Sequence, residues 1–411
     1  MSVLPMRFGC MASAAVTGGG AGHARYTFRV RVSASALRAL GAEWARCRWL
    51  WNESVARSKK AYAEGEQIGP AALDRMLTEA RRVTPWLGEG SSVPQQQVIR
   101  DFGKSRTKAL KDIRARVPAA RRTGMPRWKT KRQARPSLNY TRRNFRLKNG
   151  RLHLAGGIVV RVVWSRDLPA EPSSVRIHQE ASGSWCASFV VPAPVEPLPA
   201  TGRVIGIDWG VRETATTTSD AHDLPHPGHG RMAAQKLARY QRMMARRKPK
   251  RGQSASAGYQ AAKARTAKLH AKVARQRRDT ARKWAKHVVT DHDQLAVEDF
   301  RPKFLAKTTM ARKAADAAIG AAKAALVEMA RKHGRTVHLV HPAHTTMDCA
   351  KCGARTKHAL PLSERMYACT ACGAVSPRDK NSARVMLVRA GLNPADAEGG
   401  SPGGTLFRRA A

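Results

Sequence analysis

The chain has 411 residues, 42% of them apolar, enough for two or three domains that each bury a core. Its 75 Lys and Arg face only 29 Asp and Glu, a formal net charge of +46. Such self-repulsion is costly unless a polyanion neutralises it, and nucleic acid is the natural partner, because each Lys or Arg docked on a phosphate releases counterions. A GC-rich genome would favour Arg but would not cluster the basic residues as they are here. No apolar run approaches the roughly 20 residues of a membrane span. Met11–Val16 is too short for a signal-peptide core, so the expected location is cytoplasmic and nucleoid-associated.

Residues 1–24 read as a disordered tail, or as a start placed too early, with Met6 and Met11 as alternatives. Tyr26–Val32 alternates apolar and basic residues as a half-buried strand does. Helical periodicity covers Ala34 to about Ala63, Pro70 to Arg82 and Val93 to Arg116, and Pro118 stops the last of these. Arg121 to Lys148 holds eleven Lys or Arg and no acid, with Trp128, Tyr140 and Phe145 interleaved. Basic side chains there would contact phosphates and aromatics would stack on bases. Its leading candidates are Arg121, Arg122, Arg127, Trp128, Lys129, Lys131 and Arg132. The competing reading is a solvated loop anchored to the core by its aromatics. Strand-like runs follow at 151–154, 157–163, 174–178 and 185–191, and the four prolines of 191–200 read as a linker and domain boundary.

Beyond it, 203–208 and 213–219 read as strands. Two long helical patterns, 233–248 and about 259–291, form a hairpin carrying eighteen Lys or Arg between Lys236 and Lys286 against the single acid Asp279. A merely solvated helix face normally mixes both signs. Arg246, Arg247, Lys248, Arg277 and Arg278 are the candidate phosphate contacts. A strand at 294–300, an Ala-rich helix at 310–333, a strand at 336–340 and a last helix at 380–390 complete the pattern before a Gly/Pro-rich tail from 393.

Of seven cysteines, Cys10, Cys47 and Cys186 are scattered, while Cys349, Cys352, Cys369 and Cys372 form two CxxC pairs. Two such pairs let paired knuckle turns bring four thiolates around one Zn²⁺. Gly353 and Gly373 each follow the second Cys of a pair, where the turn calls for positive φ. Four sulfur ligands leave no open position, so the ion would be structural. His341, His344 and His358 are spare candidates and read as surface histidines.

Three acids stand out against the basic background. Asp208 ends Val204-Ile-Gly-Ile-Asp, Glu298 ends Leu295-Ala-Val-Glu, and Asp379 precedes the final helix in Ser376-Pro-Arg-Asp-Lys-Asn-Ser-Ala-Arg384. Hydrolysis of a phosphodiester with two divalent ions requires carboxylates converging at neighbouring strand ends.

Gly206-Ile-Asp-Trp-Gly210, Val297-Glu-Asp-Phe300, His341-Pro-Ala-His-Thr-Thr346 and Arg378-Asp-Lys-Asn-Ser-Ala-Arg384 together resemble the TnpB nucleases of insertion sequences, kin of compact type V CRISPR effectors. Arg46–Asn52 and Gly124–Lys131 are weaker echoes. The resemblance spans about 25–391. It implies an α/β protein with an RNase H-like RuvC nuclease domain interrupted by a zinc ribbon, preceded by a β-rich wedge domain carrying a helical recognition insertion. Asp208, Glu298 and Asp379 would hold catalytic Mg²⁺ or Mn²⁺, and the partners would be a guide RNA and double-stranded target DNA. The implied division is wedge and recognition at 25–199 (helical at 34–117), RuvC-like at 200–345 with the basic hairpin at 231–291, zinc ribbon at 346–375, RuvC-like again at 376–392, and a disordered tail at 393–411. The polar run Ala215-Thr-Thr-Thr218 and Val385, where the family often has Asn, depart from the pattern but remove no metal ligand. The expected activity is RNA-guided DNA cleavage. A guide-dependent binding protein and a strand-transfer transposase are the alternatives.

Overall fold

The computed structural model describes residues 14–16 and 22–393, apart from 67, 120–121, 132–133, 251, 301, 359 and 362, with backbone alone at 14–16, 303, 304 and 307. Two compact units emerge. One runs from Gly22 to Ala193. The other runs from Pro194 onward and includes strand β1 (Ala14–Val16). The expected C-terminal tail lies almost wholly outside the described residues. The expected N-terminal tail does not hold as a whole, because Ala14–Val16 pairs antiparallel with residues 337–339 and the next strand already begins at Gly22.

The Gly22–Ala193 unit is a seven-stranded antiparallel sheet with helices inserted after its first strand. Its strands are β2 (Gly22–Arg31), β3 (Ser137–Thr141), β4 (Phe145–Lys148), β5 (Arg151–Leu154), β6 (Ile158–Val163), β7 (Ser174–Gln179) and β8 (Trp185–Ala193), in the order β3-β7-β8-β2-β6-β5-β4. The insertion comprises α1 (Ala34–Ala63), α2 (Pro70–Val83), the short α3 (Pro85–Gly88) and α4 (Ser92–Arg114). Ser33 starts α1 by accepting the Ala36 N–H at 3.2 Å, satisfying one of the first-turn donors. Sheet residues Phe28, Leu138, Val175, Ile177 and Phe189 share one core with Leu40, Leu50 and Phe102 of the helices. The basic stretch thus ends earlier than its composition suggests. Residues 137–148 form β3 and β4, where alternation turns Tyr140 and Phe145 into the core. These two aromatics are anchors, not stacking platforms, and Trp128, half exposed, differs from them.

The second unit is a six-stranded sheet in the order β1-β13-β12-β9-β10-β11. Its further strands are β9 (Val204–Trp209), β10 (Glu213–Thr217), β11 (Leu224–Pro225), β12 (Gln294–Glu298) and β13 (Thr336–Val340), with β9, β12 and β13 mutually parallel. The helices are α5 (His229–Arg246), α6 (Ala257–Asp291), α7 (Ala311–Ala317), α8 (Ile319–Lys332) and α9 (Arg378–Arg389). Between β13 and α9 lies a small hairpin, β14 (Met366–Ala368) and β15 (Val375–Pro377). The Ala-rich segment expected as one helix is two, broken where Ala318 adopts the left-handed conformation at φ 56°. Parallel strands covered on both faces read as unbroken apolar runs. Here Ile205, Ile207, Leu295 and Val297 pack on one face against Trp284, Val288 and Leu326 of α6 and α8. Val204, Ala296 and Val340 pack on the other against Met386 and Leu387 of α9.

Candidate catalytic and metal centres

The alternation of β9 and β12 decides where the acids point. In the parallel register Val297 pairs with Ile207, so Glu298 and Asp208 come next on adjacent strands. Both follow by two residues a position that faces α9, Ala296 and Gly206 respectively, and therefore share that face. Gly206 is what lets α9 come close: a Cβ there would lie 2.0 Å from the Ala383 carbonyl oxygen. Asp379 stands in the first turn of α9, not before the helix as its sequence suggests. Asp208 and Glu298 are buried, and Asp379 keeps 37% of its side chain exposed, which leaves the cluster open on its side.

Burial pushes the Asp208 carboxyl well above the usual carboxylate range, and the charges of Glu298 and Asp379 push it further; Arg378 and the Trp209 N–H oppose them. Burial likewise pushes Glu298 up to about 7, against the Trp209 N–H and Lys323. The Trp209 N–H donates to Glu298 Oε2 at 3.4 Å, and its indole N–H donates to the Glu298 carbonyl at 3.0 Å. Three acids of one sign thus act on one another, two of them away from water, with Arg378 the positive charge set against Asp208 and Asp379. Asp299 belongs elsewhere. Its carboxylate pairs with Lys323 of α8, on the opposite face of the sheet.

Three residues beside Asp379 carry no role of their own in the sequence pattern, and each holds α9 in place. Arg378, buried, donates to the Pro361 carbonyl at 3.0 Å and lies 3.4 Å from Asp379 Oδ1. Lys380 donates to the Thr217 carbonyl at 2.9 Å and pairs with Asp223 at 2.7 Å and Asp220 at 2.6 Å, clamping α9 to the loop after β10. Asn381 donates to the Asp348 carbonyl at 2.7 Å and accepts from the Ala350 N–H at 3.1 Å, bracketing Cys349. The signal was available: a Lys and an Asn in the first turns of a helix that packs on a buried sheet must find partners.

The four clustered cysteines converge. Cys349 and Cys372 sulfurs are 3.7 Å apart and Cys352 and Cys369 sulfurs 3.6 Å, with all four within 4.8 Å and none in a disulfide. Tetrahedral Zn–S bonds of about 2.3 Å give S···S edges of about 3.8 Å, so the spacing fits zinc. Two matching turns create it. In each, the Gly N–H donates to the first Cys carbonyl (Gly353 to Cys349 at 2.9 Å, Gly373 to Cys369 at 3.0 Å), at φ 76° and 68°. Against its burial, the backbone N–H groups of Cys372 and Ala371 and the neighbouring thiols hold Cys369 down at about 7; against the Ala354 N–H, burial and the other three thiols push Cys352 up to about 12. His341, His344 and His358 lie outside this group.

The basic candidates divide. Arg246, Arg247, Lys248 and Arg278 are exposed on the α5–α6 hairpin. Arg277 is not free for phosphate, because it pairs at 2.9 Å with buried Asp316, which also accepts the Gly230 and Arg231 N–H groups at the start of α5. Arg122, Arg127, Trp128 and Lys131 are exposed, whereas Arg121 and Arg132 lie outside the described residues. Lys129 is a structural cation: its ammonium sits 3.5 Å from the Trp51 ring centre, and burial lowers it to about 8. Trp51 donates to the Arg127 carbonyl at 2.8 Å, and Asn52 bonds both backbone groups of Lys129. The two weaker sequence echoes, 46–52 and 124–131, are thus two halves of one contact.

Known proteins share this plan. A family profile described as a probable transposase (OrfB_IS605) matches residues 177–309, and the Cas12f1-like TNB domain matches 320–386. A Streptomyces pristinaespiralis protein named "Putative RNA-guided DNA endonuclease" is 30% identical over 84% of this chain and 83% of its own length. InsQ of Escherichia coli K12, named likewise, is 26% identical over 83% and 86% of the two chains. A cryo-EM structure of a Cas12f1–sgRNA–target DNA complex matches in fold, with TM-score 0.52 at 11% identity, covering 89% of this chain and 98% of that one. Identity at this level across most of both lengths establishes that the chain belongs to the TnpB family, that of the RNA-guided DNA endonucleases of insertion sequences.

Proposed function

We propose that the chain is an RNA-guided, divalent-metal-dependent DNA endonuclease whose 194–393 unit is an RNase H-like RuvC domain with an inserted zinc ribbon. One observation carries this reading: Asp208 and Glu298 at the ends of adjacent parallel strands, on the face where the first turn of α9 presents Asp379. Buried acids pushed above their usual range, with Arg378 the main countercharge at Asp208, fit a cationic group better than they fit an empty cleft. Asp208, Glu298 and Asp379 would hold two Mg²⁺ or Mn²⁺ ions, which supply activation of the attacking water and stabilisation of the leaving oxygen. The chain's own part is positional. Gly206 sets the distance between strand and helix, the Trp209 N–H fixes Glu298, and Lys380 and Asn381 hold Asp379 at the open side.

The four cysteines would hold one structural Zn²⁺. The Gly22–Ala193 unit would be the wedge and recognition region. Arg246, Arg247, Lys248 and Arg278 on the hairpin, with Arg122, Arg127, Trp128 and Lys131 in the basic stretch, would contact guide RNA and target DNA backbones, leaving sequence choice to base pairing. Intact acids at all three positions favour cleavage over binding alone. Sequencing the RNA that co-purifies with the chain tests the guide. One abundant species with discrete ends is expected, and a random mixture of cellular fragments would contradict the reading.

A further inference from the structure

A second group of ligand-type side chains lies in the same unit, apart from both the acid trio and the four cysteines. His222, in the turn after β10, and His287 and Asp291, one helical turn apart at the end of α6, bring their ligand atoms within 4.8 Å of one another. Both imidazoles aim Nε2 at one oxygen, Asp291 Oδ2, from 2.8 Å for His222 and 3.4 Å for His287. Metal bonds of about 2.0–2.1 Å put neighbouring donors about 3.0–3.4 Å apart, so the three atoms already stand near ligand spacing. The two rings stack at 4.5 Å, which keeps both Nε2 atoms on the same side of Asp291. His222 is buried, and its Nδ1 meets Ser219 Oγ at 3.0 Å. That outer contact is the one a metal-bound histidine needs to fix its tautomer with Nε2 facing inward.

We propose that His222, His287 and Asp291 form a second transition-metal site, distinct from the cysteine cluster, taking Zn²⁺ or a similar borderline cation with water completing its coordination. Two imidazoles and a carboxylate suit such ions and not Mg²⁺ or Ca²⁺, which prefer all-oxygen shells. His287, more than half exposed, gives the ion a route in from solvent. The ion would tie the end of α6 to the turn that carries Asp220 and Asp223, the two acids that hold Lys380. The site is thus a structural one, supporting the mooring of α9, and it stands whether or not the chain cleaves DNA.

The test counts metal on the full-length chain. Protein washed with a chelator mild enough to spare the cysteine-bound ion is dialysed against micromolar Zn²⁺ and assayed for metal per chain. Two ions are expected in the wild type and in Asp208→Asn, a variant that keeps the acid trio from accounting for the second. One ion is expected in His287→Ala, whose exposed ring makes a folding defect avoidable, and an unchanged melting temperature in chelator checks that it folds. Ser219→Ala should keep two ions but weaken the second about tenfold or more, the usual range for an outer-shell partner. A single ion in the wild type, or two in His287→Ala at unchanged affinity, would overturn the proposal and leave the group an ordinary His–Asp pair.

Discussion

Gly206 of β9 and Ala383 of α9 are in backbone contact so close that a single methyl group on Gly206 would stand 2.0 Å from the Ala383 carbonyl oxygen. That approach brings Asp379, one turn earlier on α9, to the strand ends that carry Asp208 and Glu298. Gly206→Ala should therefore displace α9, because the obstructing atom is backbone and cannot rotate away. Overpacking of this kind costs about 1–3 kcal/mol. A lower melting temperature with loss of DNA cleavage, and RNA binding retained, is the expected outcome; a variant that cleaves at the wild-type rate would show that α9 is not held there.

The basic residues should separate by experiment as they do by structure. Reversing charge at Arg246, Arg247 and Lys248 together should flatten the salt dependence of RNA binding, since each lost phosphate contact releases fewer counterions, with little change in stability. Arg277→Ala should do the opposite. It leaves Asp316 buried without its cation, and breaking a buried pair costs up to about 3–5 kcal/mol, the lower end applying here because Arg277 is partly exposed. Thermal denaturation beside salt titrations of RNA affinity distinguishes the two. A steep slope that survives the triple reversal means that the hairpin faces solvent.

Zinc should be bound at the four cysteines and felt at the acids. Cys349→Ser with Cys369→Ser should remove the ion from this site and lower the melting temperature, because structural zinc contributes folding free energy directly. Cleavage should fall too, since Asn381 of α9 is moored on either side of Cys349. Elemental analysis finding equal metal in the wild type and the double variant would remove zinc from this site.

The acids also set a pH dependence. Glu298 is pushed from 4.5 up to about 7 by burial, so its folded form prefers the proton. A raised acid contributes stability fully present at low pH and lost as pH rises through about 7. Without divalent ions the chain should become less stable between about pH 5 and pH 8 at this site, and Mg²⁺ should restore more at pH 8 than at pH 6. Glu298→Gln should reduce that difference and leave the share that Asp208, also pushed up by burial, contributes. Melting temperatures with and without Mg²⁺ at both pH values check it, and a Mg²⁺ effect independent of pH would contradict it.

Much of this was legible in the sequence, for identifiable reasons. The parallel strands at 204–209 and 294–298 are apolar on both sides, and their acids stand out where the runs stop. The cysteine pairs carry their own geometry. Strands β3 and β4 were hidden because basic residues alternate with their core aromatics and the charge masked the period of two. Strand β1 was hidden because three small residues gain strand character only from the edge they join. Asp379 reads as lying one residue outside its helix because Pro377 marks the start without saying that Arg378 is already helical. Arg277 and Lys129 looked like phosphate ligands because a sequence shows charge but not the Asp316 carboxylate or the Trp51 ring that engages it.

The most direct measurement is cleavage of target DNA by Asp208→Ala, Glu298→Ala and Asp299→Ala under one set of conditions, with RNA and target binding measured alongside. Asp208 and Glu298 share the α9 face, whereas Asp299, next in sequence, pairs with Lys323 on the other. The first two variants are expected to lose cleavage by at least about a thousandfold while binding persists, and Asp299→Ala to keep much of its activity. Normal cleavage by Asp208→Ala, or a requirement for Asp299 without one for Glu298, would contradict this.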